Sequence, residues 1–124
     1  MARHNELGKW GEDLAEEYLI KKGYTICERD WHLGKRDLDI IAYTEDTLTI
    51  VFVEVKTRRW DDVMDPTDAV NIQKIRSIGF CANAYIKEFN IDLDMRFDII
   101  TIVGDPSSEI KINHIEDAFN PCLS

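Results

Sequence analysis

The chain has 124 residues, of which 44% are hydrophobic and 31% charged, and its formal net charge is −9. This length holds one domain, taken here as residues 1–124, and excludes two ordinary ones. The apolar share excludes a disordered chain, and the acidity weighs against nucleic-acid partners, because phosphate binding is driven by Lys and Arg.

No apolar run approaches the length that spans a bilayer. The segment from Met1 to Glu6 lacks the apolar stretch of a signal peptide, so a cytoplasmic location is expected. Cys27, Cys81 and Cys122 are odd in number and lack metal-ligand spacing, so they read as reduced thiols packed as small apolar groups. His4, His32 and His114 are scattered and form no catalytic pattern.

Leu7, Trp10, Leu14, Ala15, Tyr18 and Leu19 recur at helical spacing, and Gly23 follows Lys21 and Lys22, which predicts a helix over about residues 5–22. Tyr24 to Arg29 reads as a strand with Tyr, Ile and Glu on one face, and Asp30 to Lys35 as a turn. Asp37 to Tyr43 is a second strand, followed by a hairpin at Thr44–Thr47. Leu48 to Lys56 is the richest in β-branched and aromatic residues. Its run Ile50-Val51-Phe52-Val53 is apolar on both faces and predicts a central strand. Asp65-Pro66-Thr67-Asp68 predicts the start of a helix that runs to about Glu88, with Ala69, Ile72, Ile75, Ala82 and Ile86 inward. Strands follow at Phe97–Val103 and Glu109–His114, separated by a turn at Gly104–Pro106, with a loose tail from Glu116. The expected class is α/β, in the order α-β-β-β-α-β-β, and the long crossover before the fourth strand permits parallel pairing there.

Asp37 and Asp39 are two apart on one strand, and Glu54 and Lys56 two apart on the next, so each pair shares a face. A hairpin would set carboxylates and an ammonium side by side. Carboxylates gathered in a partly buried site repel, and one is driven to hold a proton unless a cation compensates. Hard oxygen donors suit Mg²⁺ or Mn²⁺. A Glu-x-Lys pair on a strand is equally well read as a solvated face or a cross-strand ion pair. Glu12 lies at the edge of the helical stripe, where it reads either as a surface residue or as a side chain reaching the strand ends. Gly8 and Gly11 each cost about 1 kcal/mol relative to Ala inside a helix, and close approach to the sheet would explain them.

Gly8-Lys9-Trp10-Gly11-Glu12, Asp37-Leu38-Asp39-Ile40-Ile41-Ala42, Val51-Phe52-Val53-Glu54-Val55-Lys56-Thr57-Arg58, Lys74 and Arg96-Phe97-Asp98 together resemble the YraN-like family, UPF0102. The resemblance runs from residue 6 to about 119. It implies a restriction-endonuclease-like core of the PD-(D/E)xK nuclease kind, similar to archaeal Holliday-junction resolvases. It further implies that Asp39 and Glu54 are metal ligands, Lys56 is the catalytic lysine, and Glu12 completes the site. The second strand departs from the family's Gly-Glu-Ile-Asp: here Arg36-Asp37-Leu38-Asp39 puts a shorter carboxylate, Asp37, at the Glu position as a further metal candidate.

The leading expectation is a Mg²⁺- or Mn²⁺-dependent phosphodiesterase acting on DNA, branched or junction DNA included. Arg36, Arg58, Arg59, Lys74 and Arg76 are the candidate phosphate contacts. The charge distribution leaves room for this. Residues 1–60 carry 10 basic and 12 acidic side chains, while residues 61–124 carry 5 and 12. A homodimer would suit a junction, since paired cuts need paired sites. The alternative is a nucleic-acid-binding module with the nuclease core and little catalysis, which the low positive charge favours. A weaker third is an adaptor binding a protein through its acidic second half.

Overall fold

A computed structural model describes residues 2–62 and 71–121, with side chains from Glu6 onward. Helix α1 spans Ala2–Lys21, strands β1, β2 and β3 span Thr25–Leu33, Arg36–Tyr43 and Thr49–Arg58, helix α2 spans Ile72–Glu88, and strands β4 and β5 span Asp94–Val103 and Lys111–Ile115. The order α-β-β-β-α-β-β is the expected one. The sheet runs β1-β2-β3-β4-β5, antiparallel except for the parallel β3/β4 pair, so β3 is central. Among the described residues no helix is long and apolar enough to cross a membrane.

The apolar run of β3 divides between two cores, as alternation along a strand requires. Val51 and Val53 face α1 with Ala15, Leu19, Ile40, Ala42, Ile100 and Ile102. Ile50 and Phe52 face α2 with Ile41, Phe97, Ile78, Cys81, Ala82 and Tyr85. Phe52 is 1% exposed and stacks on Phe97 with ring centroids 5.4 Å apart.

Helix α1 ends as its sequence predicts. Gly23 has φ 96°, its N–H reaches Ile20 O, and Tyr24 N–H reaches Leu19 O at 3.0 Å, closing the helix with a left-handed turn that favours glycine. Gly11 is needed for close approach: a Cβ there would lie 2.9 Å from Thr57 Cβ on β3. The same account fails for Gly8, where a Cβ meets nothing within 4 Å.

The predicted turn over Asp30–Lys35 shrinks to Gly34 and Lys35, because Trp31, His32 and Leu33 pair with Leu38, Asp37 and Arg36. Asp30 is accommodated inside the strand at φ 51°, a region Asp tolerates better than most residues. A register shift between Ile26 and Glu28 breaks the expected single face of β1. Ile26 packs with the α1 core, whereas Glu28 accepts a hydrogen bond from Tyr85 of α2.

The predicted helix start at Asp65–Asp68 and Ala69 lie outside the described residues. Helix α2 is capped at Asn71, whose extended backbone precedes the helix and whose Oδ1 accepts from Lys74 N at 2.8 Å. With that start, Ile72 points outward at 60% exposure, and the buried face is Ile78, Cys81, Ala82 and Tyr85. Cys81 is a buried thiol as expected. Cys27 is not: it is exposed on β1 and its Sγ lies 3.1 Å from Tyr85 Oη. Cys122 lies outside the described residues.

The tail from Glu116 is docked rather than loose over its described length. Ala118 N–H bonds Phe97 O at 2.7 Å, Phe119 packs on Phe97, and Asp117 N–H reaches Asp98 Oδ1 at 3.0 Å. Asp98 is fully buried, and it also accepts two hydrogen bonds of 2.9 Å from Arg96 and meets His114 Nε2 at 2.7 Å. Burial pushes its carboxyl up, but His114, Arg96 and the Asp117 N–H outweigh that and hold it below the usual range.

Candidate metal centre

The site arises where β2 and β3 part. The β2/β3 ladder runs from Tyr43↔Ile50 to Ile40↔Val53 and stops, while β3 continues beside β4 as far as Arg58. Beyond the last rung Asp39 takes over as partner. Its Oδ2 accepts from Val55 N–H at 2.9 Å. A side-chain carboxylate thus closes a backbone position that a neighbouring strand would otherwise fill.

A cleft of about 280 Å³ opens at this split. Among the residues lining it are Gly8 and Glu12 of α1, Asp39 of β2, and Glu54, Lys56 and Arg58 of β3. Three elements therefore converge, and four of the five residues singled out from the sequence as ligands or catalytic groups (Glu12, Asp39, Glu54, Lys56) share one cavity, while the fifth, Asp37, is not among its lining residues. Glu54 is 6% exposed, and it is joined to Asp39 by a side-chain hydrogen bond. Oxygens of Glu12, Asp30 and Asp39 lie within 4.8 Å of one another.

The electrostatics follow from burial and like charge. Burial first, then the Asp39 charge, pushes Glu54 up to about 8. Glu12 is likewise pushed up to about 8, by burial and then by Asp39 and Asp30, against the opposing bond from Arg29. Asp39 is raised by burial despite the Val55 N–H and its bond with Glu54. These carboxylates lack enough positive charge to ionise together. An oxygen-rich, charge-starved cluster of this kind fits a hard divalent cation such as Mg²⁺ or Mn²⁺.

Lys74 supplies part of the compensation. Its Nζ is 3.8 Å from Glu54 Oε2 and 3.8 Å from Asp37 Oδ1. Burial works against its charge, but Glu54, Asp37 and Asp39 together hold its pKa above the ordinary value. Lys74 therefore sits among the carboxylates rather than on an outer phosphate-facing surface, and Asp37 is tied to α2 through it.

The other predicted cations divide. Arg58 lines the cleft and bonds Thr57 O at 3.1 Å. Arg59 lies just beyond β3, where its charge acts on Asp105. Arg36 and Arg76 are outside the cleft, on the α2 side.

Two residues escape sequence reasoning. Asp30 reads as part of a turn, yet its left-handed backbone within β1 brings its carboxylate to Glu12 and Asp39. Arg29 grips α1 through Asp13 at 2.7 Å, Glu12 at 3.4 Å and Glu16 at 3.6 Å, and so orients Glu12. The spacing of Glu12, Asp13 and Glu16 along one helix, which places acids within reach of a single cation, is the signal that could have found it.

Fold and site together define a small α/β protein whose mixed sheet carries a carboxylate-and-lysine centre at the divergence of two strands. Residues 11–102 match the pattern of an uncharacterised protein family, UPF0102. The chain belongs to that family. A UPF0102 protein of Phocaeicola vulgatus is 50% identical over 121 residues, covering 98% of each chain. One of Parabacteroides distasonis is 49% identical over 123 residues, covering 98% of this chain and 99% of its own. Among solved structures, Pyrococcus furiosus SfsA in complex with Ca²⁺ is similar with a TM-score of 0.38 and 15% identity over 91% of this chain, which spans 63% of that one.

Proposed function

We propose that the protein is a metal-dependent phosphodiesterase acting on DNA, with branched or otherwise non-standard DNA structures as its substrate class. The observation that carries this reading is the convergence of Glu12, Asp39 and Glu54 from three elements on one cleft that also holds Lys56. Asp39, Glu54 and Glu12, with Asp30 beside them, are the residues that would hold Mg²⁺ or Mn²⁺. When bound, such an ion supplies a more acidic water and neutralises charge on a phosphate.

The chain's own residues do the rest. Lys56 places an ammonium in the cleft, where it can orient a water and stabilise charge developing on phosphate oxygens. Arg58 offers a second cation at the same wall. Lys74 lowers the cost of ionising Glu54, which prepares that carboxylate to act as a ligand. Arg29 holds Glu12 in position, and Asp39 is held by the Val55 N–H.

The alternative, a binding module with little catalysis, draws on the net charge of −9 and on Lys74 already neutralising part of the carboxylate cluster. Calorimetric titration of Mg²⁺ and Mn²⁺ into the wild type and an Asp39→Asn/Glu54→Gln double variant separates the two, with cleavage assays on duplex, single-stranded and branched DNA alongside. Cation binding and cleavage that both disappear in the double variant are expected. A folded wild type that binds neither cation would overturn the nuclease reading and leave the binding module in its place.

A further inference from the structure

Away from the carboxylates, the outer face of α2 carries a cluster that the cleft does not use. Arg76, Phe80 and Asn83 stand at i, i+4 and i+7 and so share one helix face. Phe80 is 54% exposed. The Arg36 guanidinium carbon lies 4.4 Å from the Phe80 ring centroid. Beside the ring is a hollow of about 200 Å³ lined by Arg76, Asn83, Met95 and Pro121 among others. An exposed ring with an arginine over it and a hollow lined by an arginine and an amide beside it offers a stacking surface, two phosphate partners and a group that can read a base edge.

The cluster is linked to the proposed catalytic site through β2 and α2. Arg36 directly precedes Asp37, which is joined through Lys74 to Glu54. Phe80 follows Lys74 by six residues on α2, about 9 Å of helix rise.

Resting on the nucleic-acid reading above, we propose that Phe80, flanked by Arg36 and Arg76, is a stacking platform for an unpaired base of the bound strand. The substrate then contains a single-stranded segment. Stacking on an aromatic ring needs an exposed base face, which a closed duplex does not offer. The charge pattern favours this occupant over a second copy of the chain. An isologous contact would set Arg36 and Arg76 of one copy close to the same residues of the other.

The test uses the full-length protein in EDTA, so that binding is read without cleavage. Fluorescence anisotropy is recorded with oligo(dT), oligo(rU), blunt duplex and a duplex bearing a single-stranded overhang. Phe80→Ala and Arg36→Gln should each weaken binding of the single-stranded and overhang probes by about tenfold, since base–aromatic stacking is worth about 1–3 kcal/mol. Blunt-duplex binding should be unchanged by Phe80→Ala, and Phe80→Trp should restore affinity. The relative strength of the dT and rU arms identifies the sugar. A 5-iodouracil oligonucleotide should cross-link to Phe80 under ultraviolet light.

Both alanine and tryptophan changes fall at an exposed position, and thermal melting confirms that the variants fold. Equal affinity of wild type and Phe80→Ala for every probe overturns the platform. So does self-association that Phe80→Ala abolishes without any nucleic-acid binding, which makes the face a contact between copies. The two proposals can fail separately. Phe80-dependent binding without metal-dependent cleavage removes the nuclease reading and keeps the platform. Cleavage that Asp39→Asn abolishes and Phe80→Ala leaves untouched, with unchanged binding, does the reverse.

Discussion

Replacing Glu54 by Gln should make the metal-free protein more stable at alkaline pH, although Glu54 lies at the centre of the proposed active site. The wild-type carboxyl has a pKa of about 8 in the fold against an ordinary 4.5. Because the folded value is the higher, the contribution to stability is fully present below pH 4.5 and is lost as pH rises through about 8. At about 1.36 kcal/mol per unit, full ionisation of this group sets a ceiling on the order of 4–5 kcal/mol. Glu54 and Asp39 titrate as a pair, and the cleft admits water, so we take about half of that ceiling, on the order of 2 kcal/mol. The amide of Gln keeps the shape and can still donate to Asp39, while Lys74 retains Asp37 at 3.8 Å. Urea unfolding in EDTA, followed by Trp fluorescence at pH 4.5, 6 and 8, measures the effect. The variant should gain about 2 kcal/mol over wild type at pH 8 and lose most of that advantage by pH 4.5. Wild-type stability that stays flat across this range, or a variant with the same slope, would refute the reasoning.

Three further outcomes are expected. Affinity for Mg²⁺ or Mn²⁺ should rise from pH 6 to 8.5 as the raised Glu12 and Glu54 carboxyls give up protons, and calorimetry in buffers of different ionisation enthalpy should show proton release on binding. Gly11→Ala should cost about 1–3 kcal/mol because its Cβ would crowd Thr57. Gly8→Ala, which meets nothing, should instead stabilise by up to about 1 kcal/mol in the same denaturation assay. Asp98→Asn should destabilise by about 3–5 kcal/mol at neutral pH, since it removes the buried partner of Arg96 and His114, and the loss should shrink in acid as the wild-type carboxyl itself protonates.

The element order and the meeting of Asp39, Glu54 and Lys56 in one cleft were legible because each rests on a strong local pattern. Ile50-Val51-Phe52-Val53, β-branched and aromatic and apolar on both faces, reads as a central strand, and that strand lies in the middle of the sheet. The two-residue spacing of Glu54 and Lys56 put both at the end of that strand. What escaped depends on contacts between distant segments. Asp30 looked like a turn residue because its side chain favours turns, and pairing of Trp31 and Leu33 with β2 overrode that preference. Ile72 looked inward because the helix was phased from a start near residue 65, whereas the cap is Asn71. Lys74 looked like a surface cation, and only the packing of α2 over β2 and β3 brings it to Glu54 and Asp37. The loose tail was inferred from its lack of periodicity, but Asp98 and Phe97 hold it by backbone hydrogen bonds, which no side-chain pattern encodes.

Asp39 holds the Val55 N–H as well as facing the cleft, and this bears on how relatives should be read. A lineage that stopped using the cleft would still be under pressure to keep an acceptor at that position, because losing it leaves a backbone donor without a partner where the strands separate. Lys56 carries no comparable duty to the backbone; its contribution is a charge near Glu54. Retention of the aspartate in a descendant is therefore weak testimony for the proposed chemistry. Drift at the lysine, with the aspartate intact, is the mark to look for in a copy that has kept its shape without the proposed reaction.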